Sequence, residues 1–160
     1  MALSLALVLL VVLVALIFEY INGFHDTANS IATVVATKVL SPGQAVMLAA
    51  GANLIGALWG TAVAKTIASG LIDTGVVAVT PQVLICALLG AIIWDLITWW
   101  WGLPSSSSHA LFGGLIGSTV AALGWGGVKW VGEGSSVDGV VGKVILPALI
   151  SPGVAMIVAM

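Results

Sequence analysis

Charge is what this sequence has least of. Asp, Glu, Lys and Arg make up 6% of its 160 residues, against about 25% in an ordinary soluble domain. Arginine is absent, and all four basic residues are lysines. A folded chain of this size in water needs far more charge to cover its surface, so a soluble globular enzyme is excluded. A disordered chain is excluded too, because disorder needs few apolar residues and here they reach 61%, with a mean hydropathy of +1.24. The net charge of −2 leaves no basic surface for nucleic acid. Cys86 is the single cysteine and cannot form an internal disulfide. There is no GxSxG, no HExxH and no metal-spaced Cys/His set. Enzyme activity, a cofactor and a resident metal are therefore not expected.

What the chain has is long uncharged runs. At roughly 20 residues per span, 160 residues hold about five hydrophobic segments and no aqueous lobe. The expectation is one all-α integral membrane domain over 1–160, with broken helices. Residues 1–37 read as a first helix too long for the bilayer, about 55 Å if straight, with Asn22–Gly23 as its natural break. A turn at 38–43 leads to a second span at 44–64, where Gly56 and Gly60 allow close helix approach. Residues 65–80 read as a surface connection. Pro81 suits the first turn of a third span, part of a unit over 81–123 that ends in a serine-rich half-helix hairpin. Residues 124–143 read as an aqueous loop and 144–160 as a truncated final segment. Lys38 argues for an outside N-terminus, and Lys65 for the reverse.

Two polar clusters stand out against this background. In the first segment, Asn22, Asp26, Asn29 and Thr33 fall on one helix face, with Glu19, His25 and Ser30 beside them. Carboxylates near a membrane interior cost several kcal/mol unless hydrated or paired. Asp26 and Glu19 suit a coupling cation or proton, His25 can carry a proton, and Asn22, Asn29 and Ser30 can ligate either sign. The alternative is an interfacial loop.

The second cluster is WWWGLPSSSSHALFGG, 99–114. It lies in a run of thirty-three residues without Asp, Glu, Lys or Arg that nonetheless contains a turn. Such a turn belongs below the membrane surface, buried in protein or lining a cavity, as in a re-entrant hairpin. Pro104 is expected to start a new helix, with Ser105, Ser106, Ser107 and Ser108 in its first turn. The free N–H groups, the positive dipole end and the hydroxyls then make an anion site without a fixed cation. The alternative is a surface hairpin with an aromatic belt and a plain cap. The Ser–His109 adjacency is not catalytic geometry. Asp95 can pair with His109 or Lys65, bind a coupling cation, or mark a span end, and Asn53 suits interhelical hydrogen bonding.

NGFHDTANSIATVV (22–35) and IIWDLITWWWGLPSSSSHALFGGLIG (92–117) together resemble the inorganic phosphate transporter (PiT) family, most of all its bacterial low-affinity permeases. The resemblance implies two inverted repeats, each with a membrane-embedded hairpin. It assigns phosphate and the coupling cation to the regions of Asp26 and Asn29 and of Ser105 to Ser108. His25–Asp26 stands where sodium-coupled relatives have Asn-Asp. That implies H⁺ ahead of Na⁺ as the coupling ion, with phosphate taken as the ion or as a neutral metal–phosphate complex. Family members are more than twice as long and carry a second signature. This chain therefore reads as one half, needing a second repeat or a second chain in an oligomer. The implied function is secondary active transport of inorganic phosphate by cation symport in the cell membrane, the inner membrane if bacterial. Sulfate transport within the family, a non-transporting membrane subunit and a passive anion channel are the alternatives.

Overall fold

A computed structural model of the chain describes residues 5–59, 80–132 and 139–159. Gly60, and all of the 65–80 connection except Thr80, lie outside the described residues. The architecture is all-α: α1 (Leu5–Ala36), α2 (Pro42–Trp59), α3 (Pro81–Trp100), α4 (Ser107–Leu123) and α5 (Leu146–Val158), the last preceded by a π-helical turn at Val141–Ile145. Among the described residues, three helices are long and apolar enough to cross a membrane: Leu5–Ala36, Pro81–Trp100 and Val141–Val158. The helices Pro42–Leu58 and Ser107–Leu123 are apolar but shorter.

The break expected at Asn22–Gly23 is not there, because α1 is continuous over 32 residues. A mid-helix glycine costs only about 1 kcal/mol. The polar residues around it bond back to the helix: Thr27 Oγ1 donates to the Gly23 carbonyl and Ser30 Oγ to that of Thr27. The helix is about 48 Å long at 1.5 Å per residue, so it overshoots a hydrocarbon core of roughly 30 Å. Lys38, at φ 59°, turns the chain after α1. Ser41 and Gln44 cap α2 reciprocally, so that helix starts at Pro42 rather than 44.

The tightest packing is between α3 and α4. Among the glycines of α4, Gly114 makes the close approach to α3. A Cβ there would overlap the Ala87 carbonyl, whereas nothing stands near Gly113 or Gly117. Gly56 also has open space around it. Next to this contact α3 packs on α1, through Val14, Phe18 and Ile21 against Ala91 and Ile92. The loop expected to be wholly aqueous folds back in part. Val128 and Val140 are buried against Ala87 and Leu115, joined by Val140 N–H to Lys129 O at 2.9 Å. No residue of α5 is buried, so this apolar helix needs lipid or another protein segment around it.

Candidate functional site

Residues of three helices define the site. His25 and Asp26 lie near the middle of α1, Asp95 and Thr98 near the end of α3, and Ser107 opens α4. Ala87, Ala91, Asp95 and Thr98 are all buried, at helical spacing on one face of α3. The face is apolar where it meets the α1 core and polar where α4 begins. The α3–α4 connection is held by backbone bonds, Leu103 N–H to Thr98 O at 2.9 Å and Gly102 N–H to Trp99 O at 3.0 Å. Trp94 Nε1 donates to Ser105 Oγ at 3.1 Å. The expectation that Pro104 starts α4 is corrected, since Ser106 is the N-cap and Ser107 the first helical residue. Ser106 has the side-chain acceptor that an N-cap needs and Pro104 has none.

The hydroxyl of Ser107, 1% exposed, donates to Asp26 Oδ1 at 3.3 Å. The same oxygen lies 3.4 Å from His25 Nδ1. On the other side of the imidazole, Nε2 is 3.2 Å from Thr98 Oγ1. Thr98 directs its own proton to the carbonyls of Trp94 (3.0 Å) and Asp95 (3.1 Å), so it accepts from His25 Nε2–H. Asp95 is fully buried, and neither of its carboxylate oxygens has a hydrogen-bond partner.

Three clefts frame this cluster. The first, about 430 Å³, lies between α1 and α2 and gathers Glu19, Asn22, Asp26, Thr27, Ser30 and Asn53. The second, about 350 Å³, puts Asn29 and His25 against the hairpin turn at Trp99 and Gly102–Pro104. The third, about 480 Å³, is largely apolar and is lined by Trp94, Ser105, Ser106, His109 and the α3–α4 glycines. The structure thus unites Glu19, Asn22, Asp26 and Ser30 and places Asn29 on a neighbouring flank. It also splits the serine run. Ser107 turns to Asp26, Ser105 and Ser106 line the third cleft, and Ser108 is exposed. His109 is exposed and bonds Ser106 at 2.9 Å, so it is not the partner of Asp95; Lys65, the other partner considered, lies outside the described residues. Thr98 is the site residue that sequence reasoning missed. Its place one turn after Asp95 on the same face is the signal that could have found it.

Buried hydrogen-bonding and carboxylate groups at the start of a short helix, among long apolar helices, define a helical membrane protein with a polar site inside its helical bundle. Comparison with known proteins narrows this. The model of the phosphate transporter family matches residues 22–160. The chain is 51% identical over 158 residues to a probable low-affinity inorganic phosphate transporter of Mycobacterium bovis, covering 99% of this chain and 36% of that one. It is 48% identical over 132 residues to one of Bacillus subtilis, covering 82% of this chain and 40% of that one. A solved structure, the sodium-dependent phosphate transporter, superposes with a TM-score of 0.72 at 30% identity over 79% of this chain and 32% of that one. The chain belongs to the phosphate transporter family, a family of transporters rather than enzymes, and is a multi-pass membrane protein. It spans just over a third of the length of the first of these relatives.

Proposed function

We propose that this chain is one half of a secondary transporter that carries inorganic phosphate together with a proton. The observation that carries the reading is the bond from Ser107 to Asp26, which joins the start of α4 to the polar stripe of α1. Phosphate would sit at the α4 N-terminus, where free N–H groups, the helix dipole and the serine hydroxyls supply donors. The coupling cation would sit at Asp26 and His25, with Glu19, Asn22 and Ser30 lining its approach. Neither signature contains Lys or Arg. The anion alone would be poorly compensated in a low-dielectric site, so the co-bound cation is a physical requirement of this arrangement. An imidazole 3.4 Å from the Asp26 carboxylate is a group that can carry a proton, which supports H⁺ over Na⁺. The cargo is phosphate, as the ion or as a neutral metal complex.

A complete site calls for a second repeat or second chain, a reading that the 36% coverage of the Mycobacterium bovis relative supports. Alternating access would be a rocking of one repeat against the other. The test is phosphate uptake into reconstituted vesicles. Uphill accumulation that collapses with a protonophore supports symport. Downhill flux indifferent to the protonophore identifies a channel, and the absence of flux removes the reading.

A further inference from the structure

The first turn of α4 carries a second side-chain pair, away from Asp26. Ser107 reaches the Asp26 carboxylate. His109 is two residues further on, about 200° around the helix at 3.6 residues per turn, and lines the third cleft with Trp94, Ser105 and Ser106. Its Nδ1 is 2.9 Å from Ser106 Oγ, and its backbone N–H donates to the same oxygen at 3.4 Å. Phe112 meets the imidazole in a T-shaped contact, with ring centroids 6.1 Å apart.

The direction of the Ser106–His109 bond depends on the charge of the ring. Ser106 Oγ already accepts from the His109 N–H, so its own proton needs an acceptor. A neutral imidazole with its proton on Nε2 offers Nδ1 as that acceptor. A protonated imidazole is a donor at both nitrogens. Nδ1–H then donates to Ser106 Oγ, and the Ser106 proton turns away from the ring. Ser105 differs, because its oxygen accepts from Trp94 Nε1 at 3.1 Å and it keeps its own proton to donate.

We propose that His109 is a proton-operated switch on the phosphate end of the site: once charged, it reverses its bond with Ser106 and turns that hydroxyl into the cleft as a donor to phosphate. The proton comes from solvent and binds Nδ1, while the Ser106 O–H bond stays intact and rotates. The charge counts as well as the donor. Among the described residues that line the cleft, on α3 as on α4, His109 is the one titratable group, and none carries a fixed charge. An imidazolium at the start of α4 is repelled by the helix dipole, and an anion bound there removes that repulsion. Proton and phosphate therefore each raise the other's affinity.

This inference rests on phosphate binding at the α4 N-terminus, and the experiment separates the two. The chain in detergent is titrated with inorganic phosphate at about pH 5.5 and about pH 8, the range over which an imidazole changes charge. NMR follows the imidazole signals of His25 and His109, the two histidines of the chain. His109→Gln assigns the His109 signal and corrects for phosphate's own titration. In wild type, phosphate is expected to raise the proton affinity of His109 about tenfold. By reciprocity phosphate binds about tenfold tighter at the lower pH, relative to His109→Gln. His109→Lys, charged at both pH values, keeps the tighter binding at the higher one. Should these variants fail to fold, His25→Gln, whose remaining histidine is His109, gives the same reading. Bound phosphate that leaves the proton affinity of His109 unchanged, or raises that of His25 alone, overturns the switch and leaves the anion site standing. No phosphate binding by wild type at either pH overturns both.

Discussion

Ser107 and Asp26 are eighty-one positions apart in the chain and 3.3 Å apart in space, the hydroxyl donating to the carboxylate. The contact ties the first turn of α4 to the middle of α1. It places the α4 end of the proposed anion site beside the proposed cation site. A hydrogen bond to a charged group contributes about 1.5–3 kcal/mol, enough to fix the register of α4 against α1.

Asp26→Asn is isosteric and uncharged. It is expected to abolish gradient-driven phosphate uptake while leaving membrane insertion intact, because the apolar faces that hold α1 against α3 are untouched. Vesicle uptake together with membrane fractionation checks this. Wild-type uptake in the variant would show that the polar stripe is not the cation site.

Ser107→Ala is expected to weaken phosphate affinity by about tenfold, 1.4 kcal/mol, because it unties the α4 terminus from Asp26. Ser106→Ala removes the N-cap and should lower stability by about 1 kcal/mol, with a smaller effect on affinity. The double variant combines the two. Phosphate titration and thermal unfolding in detergent separate affinity from stability, and unchanged affinity in the double variant would favour a plain surface hairpin.

Gly114→Ala inserts a methyl group into the Ala87 backbone. The expected loss is about 1–3 kcal/mol of stability, read as a lowered melting temperature in detergent. Gly113→Ala, with open space around it, should be neutral or gain up to about 1 kcal/mol from helix propensity.

Thr98→Val leaves the buried Nε2–H of His25 without an acceptor. The expected loss is about 1–3 kcal/mol, measured by the same unfolding. Thr98→Ser keeps the acceptor and should recover most of it.

The sequence showed the helical membrane class and both polar clusters, because scarcity of charge and helical spacing are one-dimensional signals. It did not show how the helices are rotated about one another. That rotation decides that Gly114 rather than Gly113 or Gly117 meets α3, that Ser107 rather than its neighbours meets Asp26, and that His25 meets Thr98 while His109 bonds Ser106. The continuity of α1 was hidden for another reason. Asn22 and Gly23 are poor helix formers locally, but the packing of Val14, Phe18 and Ile21 against α3 and the back-bonding of Thr27 and Ser30 outweigh a penalty of about 1 kcal/mol. The folding back of Val128 and Val140 was masked by the glycines and charges around them.

The central claim is that the polar stripe of α1 and the first turn of α4 meet inside the protein around phosphate. Cross-linking in native membranes tests it most directly, using Asp26→Cys with Ser107→Cys in a Cys86→Ser background, where the exposed native thiol is removed. Rapid cross-linking between 26 and 107 is the predicted result. No cross-link between 26 and 107, with efficient cross-linking between 26 and a cysteine at 108 or 109 instead, would contradict it.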